Sequence, residues 1–299
     1  MQAIAINFTP TGMLPSKALT PHVPISVQEI VEDVHRATEV GITIAHLHAR
    51  DELTGAPTYR ADVYGRIIEG IRRHSADVIL CASLSGRDFN QFDQRSEVLQ
   101  LEGQAKPDMG SLTLSSLNFN RQASVNAPDM IRALAAEMQR RGILAELEAF
   151  DAGMVNYARY LEKKGLLRPP HYFNLILGNI ACAQADLLHA GLLIRDLPPE
   201  SYWAMGGVGD AQLPMNMVAI AMGGGVRVGL EDNIWFDPGR SRLATNLDYL
   251  SRVHGLIAAA EKTVMSPRDM RNRLGLLPGA GHYGRAPTAG EAPRPEHRS

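Results

Sequence analysis

Short apolar runs alternate with longer amphipathic stretches along almost the whole chain. Ala3–Asn7 reads as a strand, followed by a loop carrying Thr11, Gly12 and Pro15. Ser26 then opens a helix, with Glu29 three positions later to complete a capping box. Ile30, Val34 and Ala37 recur at helical spacing and give that helix one apolar face. The cycle repeats: GITIAHLHAR, DVILCAS, MGSLTLSS, LAELEAF, YFNLILG, YWAMGG and VRVGLE read as strands. Helical segments follow each of them, among them VYGRIIEGIRRH, a stretch around QRSEVLQL, and the helix opened by Pro128 and ended by Gly142. The last is LATNLDYLSRVHGLIAAAEK.

Eight strand–helix units in one run, several with near-continuous apolar strands, predict an all-parallel sheet covered by helices. A single-domain (β/α)8 barrel fits that count better than an open doubly wound sheet, and such barrels take about 250 residues. No G-x-G-x-x-G follows the first strand, so dinucleotide binding has no support; the Gly-rich runs at 206–210 and 223–225 read as turns or close approaches of backbone. The barrel is assigned to residues 1–277, and residues 278–299, rich in Pro, Gly and Ala, are expected to form a disordered tail.

Composition narrows the function class. A formal charge of −2 with no long Lys/Arg run gives no reason to expect a nucleic-acid partner. Cys81 and Cys182 stand far apart in apolar surroundings and read as buried free thiols of a reducing compartment. The N-terminus lacks the pattern of a signal peptide, and no apolar run approaches a membrane span. These features predict a soluble cytoplasmic protein.

The candidate chemistry lies at strand ends. His46 and His48 are two apart on a strand and face the same way, and the carboxyl ends of barrel strands build active sites. One of them can equally be a satisfied core histidine. Closing the barrel sets the eighth strand beside the first, with the second next over, so Glu231 can meet both histidines across the mouth. Two histidines and a carboxylate form a zinc ligand set with an open fourth position, and the same set holds Fe(II). Glu231 and Asp232 have an ordinary reading too, as a helix cap or as partners of Arg227. SLSGR at 83–87 offers hydroxyl and backbone donors for a carboxylate, with Arg50 and Arg87 as possible anion partners. Ser111 and Thr113 share one strand face, as do Glu146 and Glu148, and acids on an apolar strand need a partner or a wet cavity. No nucleophile elbow and no H-E-x-x-H is present.

Taken in order, HLHARDELTGAPTY, SLSGR, KPDMGSLTLSSLNF, ELEAFD and GGGVRVGLEDNIW resemble the β-keto acid cleavage enzyme family, which includes 3-keto-5-aminohexanoate cleavage enzymes, over residues 3 to 277. The resemblance implies a zinc-binding (β/α)8 barrel that converts a β-keto acid and acetyl-CoA into acetoacetate and a new acyl-CoA. It places the metal on His46, His48 and Glu231 and the catalytic base on Asp232 with Arg227. Substrate contacts fall on Ser83, Gly86, Ser111 and Thr113, with Glu148 at the polar far end or shuttling a proton. It also implies a homo-oligomer, a tetramer by analogy. Leu14 departs from the pattern, because the amino-keto acid members carry a glutamate there for the substrate ammonium. That departure predicts a substrate without a 5-amino group. The competing readings are a metal-dependent aldolase or lyase without CoA, and a non-catalytic acyl-CoA-binding or metabolite-binding barrel.

Overall fold

The computed structural model describes residues 2–286. Eight parallel strands close into a barrel: β1 (Ile6–Phe8), β2 (Ile44–Leu47), β3 (Ile79–Ala82), β4 (Met109–Thr113), β5 (Leu144–Ala149), β6 (His171–Leu177), β7 (Ser201–Gly207) and β8 (Gly225–Val228). Each pairs with the next in sequence, and β8 pairs with β1 with Arg227 opposite Asn7. The expected barrel and its closure are both realised.

The expected first strand divides in two. Ala3–Ile4 pairs with Thr263–Val264 below the barrel, and only Ile6–Phe8 joins it. The first covering helix, α1 (Val27–Val40), carries the capping box at Ser26 and Glu29, and buries Ile30, Val34 and Ala37. It is followed by α2 (Ala61–His74), α3 (Phe92–Ser96), α4 (Pro128–Arg141), α5 (Ala152–Lys163), α6 (Leu187–Arg195), α7 (Gln212–Met222) and α8 (Asn246–Ala259). The region around QRSEVLQL is only one short helical turn continued by two 3-10 segments. Gly142 ends α4 in the left-handed conformation, as its position predicts.

Alternation along each strand separates two cores. Outward side chains such as Ala45, Leu47, Leu80 and Leu147 pack under the helices. Inward ones, including Ile44, Ile79, Met109, Leu144 and Tyr172, fill the lower barrel. A further helix without a counterpart in the periodicity, α9 (Pro267–Leu274), closes the amino end with Met270 and Leu274 against that inner cluster. Arg271 of α9 donates both terminal nitrogens to Asp108 at 2.8 Å, and Arg72 joins them at 3.3 Å. The charges are fully buried, and this bidentate pairing offsets the cost of desolvating them.

The expected disorder from residue 278 onward is corrected over its first part. Leu277 N–H donates to Gly284, Gly284 N–H to Asp108 at 3.1 Å, and Arg285 reaches Pro170 O at 2.6 Å. Tyr283 is 3% exposed, with the Arg72 guanidinium 3.2 Å above its ring. Gly279, Gly281 and Gly284 hold positive φ and allow the tight return. Composition averaged over the whole segment hid this closure; residues 287–299 lie outside the described residues. Cys81 is buried as expected, whereas Cys182 is only half-buried. Among the described residues, no helix is long and apolar enough to cross a membrane.

Candidate metal centre and active site

Inward positions near the carboxyl ends of the strands bring the polar residues together. His46 lies within the fully buried strand β2, and His48 follows two residues later, just past its end, on the same side. Their Nε2 atoms lie 3.2 Å apart, and Glu231 Oε1 stands 3.2 Å from His48 and 4.0 Å from His46. The donor atoms all fall within 4.8 Å of one another. Two imidazole nitrogens facing each other with a carboxylate alongside suit a shared cation. The second carboxylate oxygen of Glu231, Oε2, is buried without a hydrogen-bond partner, which suits the same reading.

The far nitrogen of His46 explains the acid on β5. His46 Nδ1 meets Glu146 Oε2 at 2.5 Å, so Glu146 fixes the ring and leaves Nε2 directed at the ligand cluster. Glu146 also accepts from Asn7 Nδ2 at 2.7 Å, and Asn7 contacts Tyr172 and Asn174 across the barrel. Burial alone would raise the Glu146 carboxyl, but the charge and hydrogen bond of His46 hold it at about 2. Burial works against the charged form of His46, yet Glu146 and Glu231 lift it to about 9. Burial dominates at His48, which is lowered. Asn7, Tyr172 and Asn174 escaped the sequence reading; the available signal was polar residues interrupting otherwise apolar strands.

Arg227 organises the acids of the eighth strand. Its Nε donates to Asp232 at 2.9 Å, and its Nη2 donates to Glu231 at 2.8 Å. Nη1 approaches Glu148 at 3.8 Å and is otherwise without a partner. The two neighbouring carboxyls diverge. Burial raises both, but Arg227 and the two histidines drive Glu231 well below the ordinary range. Asp232 stays raised, because burial outweighs Arg227 and Glu231 adds repulsion.

These groups open into a cavity lined also by Leu14, Ser83, Arg87, Thr113 and Phe119. Thr113 Oγ1 donates to Glu148 Oε2 at 2.6 Å, orienting that carboxylate into the space. Leu14 sits at the mouth, 57% exposed. Ser111 and Gly86 are not among the residues of the cavity wall. Ser111 Oγ accepts from Leu84 N–H at 3.0 Å, and a Cβ at Gly86 would lie 2.3 Å from Val125 O. Arg50 is not free for an anion, because its three guanidinium nitrogens donate to Gly55, Gly12 and Pro15 carbonyls. That clamp fixes the loop bearing Met13 and Leu14. Gly12, at φ +66°, packs directly on Glu231, where a Cβ would come 2.6 Å from Cγ.

Fold and site together define a (β/α)8-barrel enzyme with a two-histidine, one-carboxylate centre and an adjacent carboxylate–arginine pair. The chain belongs to the beta-keto acid cleavage enzyme family, whose model matches residues 3–276. It is 34% identical over 278 residues to the 3-oxoadipate:acetyl-CoA acetyltransferase of Cupriavidus necator, covering 92% of this chain and 95% of that protein. It is 31% identical to the 3-keto-5-aminohexanoate cleavage enzyme of Fusobacterium nucleatum, covering 92% and 99%. The apo structure of ObcA superimposes with a TM-score of 0.75 at 21% identity, over 86% of this chain, which spans 66% of that structure's length. That likeness concerns the fold.

Proposed function

We propose that the protein takes a β-keto acid and acetyl-CoA and releases acetoacetate and a new acyl-CoA, with zinc held by His46, His48 and Glu231. The observation that carries this reading is the convergence of those three side chains beside the Asp232–Arg227 pair in one cavity. A bound zinc would act as a Lewis acid toward the β-keto group. Asp232 takes the proton from the carbon between the two carbonyls, and Arg227 orients it from 2.9 Å. The carbanion attacks the acetyl thioester and expels CoA thiolate. The thiolate then attacks the original keto carbon, the C–C bond breaks, and the acyl group leaves on sulfur. Glu148, set by Thr113, faces the same space and is suited to return a proton.

The name of the Cupriavidus relative contains both reactants of this scheme, and 3-oxoadipate has no amino group. Leu14 offers an apolar edge with no group to pair with an ammonium, which supports a substrate without a 5-amino group. A panel of β-keto acids with acetyl-CoA tests the reading. Acetoacetate and a new acyl-CoA should appear in equal amounts, and only with acetyl-CoA present. Release of product without acetyl-CoA would instead identify a lyase.

A further inference from the structure

Strand β8 leads Glu231 and Asp232 into the centre, yet its ladder stops short of them. It pairs with β7 only as far as Val226 and with β1 as far as Val228. The peptide groups beyond are buried and need other partners. Side-chain amides from the covering helices provide them. Asn216 of α7 donates to Arg227 O at 3.0 Å and to Met205 O at 2.9 Å, and Gln212 donates to Gly229 O at 2.9 Å. Asn246, the first residue of α8, accepts from Leu230 N–H at 2.9 Å. None of these amide residues is more than 2% exposed.

Asn246 does more than fill one of these places. Its Nδ2 donates to Pro10 O at 3.0 Å and to Asp33 of α1 at 2.6 Å, so its oxygen and both its N–H groups are engaged. Leu230 immediately precedes Glu231. Pro10 lies two residues before Gly12, which packs so closely on Glu231 that a Cβ would come 2.6 Å from Cγ. Glu231 N–H in turn donates to Thr9 O, next to Pro10, at 3.2 Å. One amide therefore grips the backbone on both sides of Glu231, the strand that carries it and the loop that packs on it. The capping box of Thr245 and Asp248 fixes the turn of helix from which it reaches. Ionised aspartate offers only acceptors and leucine neither kind of group, so no residue of similar shape makes all of these bonds.

Resting on the zinc reading above, we infer that Asn246 is a positioning residue, which sets the Glu231 carboxylate against His46 and His48 from outside the cavity. Asn246→Ala should weaken zinc binding roughly 10- to 100-fold, read by competition with a chromophoric chelator. The visible spectrum of the cobalt-substituted variant should change with it. Tyr283→Ala, which loosens the opposite end of the barrel, is the control for lost stability and should leave both readings at their wild-type values. In a Glu231→Gln background, Asn246→Ala should add almost nothing to the loss, because the two changes act through one ligand.

Should Asn246→Ala fail to fold, Asn246→Asp combined with Asp33→Asn carries the test. That exchange keeps the shape, an acceptor for Leu230 N–H and the bond between α1 and α8, and it loses the donor to Pro10 O. It should weaken zinc binding several-fold, less than Asn246→Ala does. Wild-type affinity in either variant overturns the inference, as does a loss equalled by Tyr283→Ala or repeated in full on Glu231→Gln. Wild type that takes up no zinc overturns the zinc reading and this inference together. Wild type that binds zinc, beside an Asn246→Ala that binds it equally well, removes the positioning role alone.

Discussion

Gly12 shows how a single absent side chain supports a centre it does not ligate. Its positive φ and its contact with Glu231 leave no room for a methyl group. Gly12→Ala should therefore displace Glu231 and weaken zinc affinity about 10- to 100-fold, read by competition with a chromophoric chelator. Asp232→Asn tests the other half of the site. It should lower kcat about 10²–10⁴-fold while zinc content stays at the wild-type level, and full turnover in that variant would remove the base. The His46–His48 pair was legible because strand spacing alone puts both rings on one side. The occupations of Arg50, Ser111 and Gly86 were not, since residue type says what a group can bond and not which carbonyl or N–H reaches it first. Glu146 lay between these cases: the need for a partner was visible, and the partner's identity had to await the pairing of strands across the barrel.

Among the elements, α1 and α8 are joined by an acid held out of its ordinary range. Asp33 of α1 accepts from Asn246 at the start of α8 at 2.6 Å, and the same amide donates to Pro10 O at 3.0 Å. Burial raises the Asp33 carboxyl to about 6, against the lowering effect of Asn246. Between the ordinary carboxylate range and about 6, the folded chain holds a proton that the unfolded chain has released. This group's contribution to stability therefore falls as pH rises through that window. Asp33→Asn removes the titration, so the variant's stability relative to wild type should be greater at pH 7 than at pH 4 by about 1–3 kcal/mol in urea unfolding. Helix starts were readable where the cap was Ser26 with Glu29. The box at Thr245 and Asp248 was missed, and α8 was expected to begin too early, because LAT continues the apolar pattern without a break.

For the whole molecule, closure at the amino end is as specific as the chemistry at the other. Tyr283 covers Arg72, and Gly284 donates to the Asp108 that Arg271 and Arg72 also hold. Tyr283→Ala removes a buried aromatic ring and should cost about 3 kcal/mol of unfolding free energy, measured by urea denaturation. A variant as stable as wild type would return the segment to the dispensable tail that its composition suggests. The barrel itself was legible because eight βα units leave few ways to bury their strands. The plug α9 was not, since its buried positions face a cluster assembled from the lower ends of several strands.

His48 and Glu231 are separated by 183 positions and meet only when the last strand docks on the first. At ordinary rates of synthesis, about 10–40 s pass between the emergence of one ligand and the other. During that interval a nascent chain displays a two-histidine fragment with no carboxylate to complete it. Uptake of the cation proposed above would therefore report that translation has passed strand eight and that the cylinder has shut.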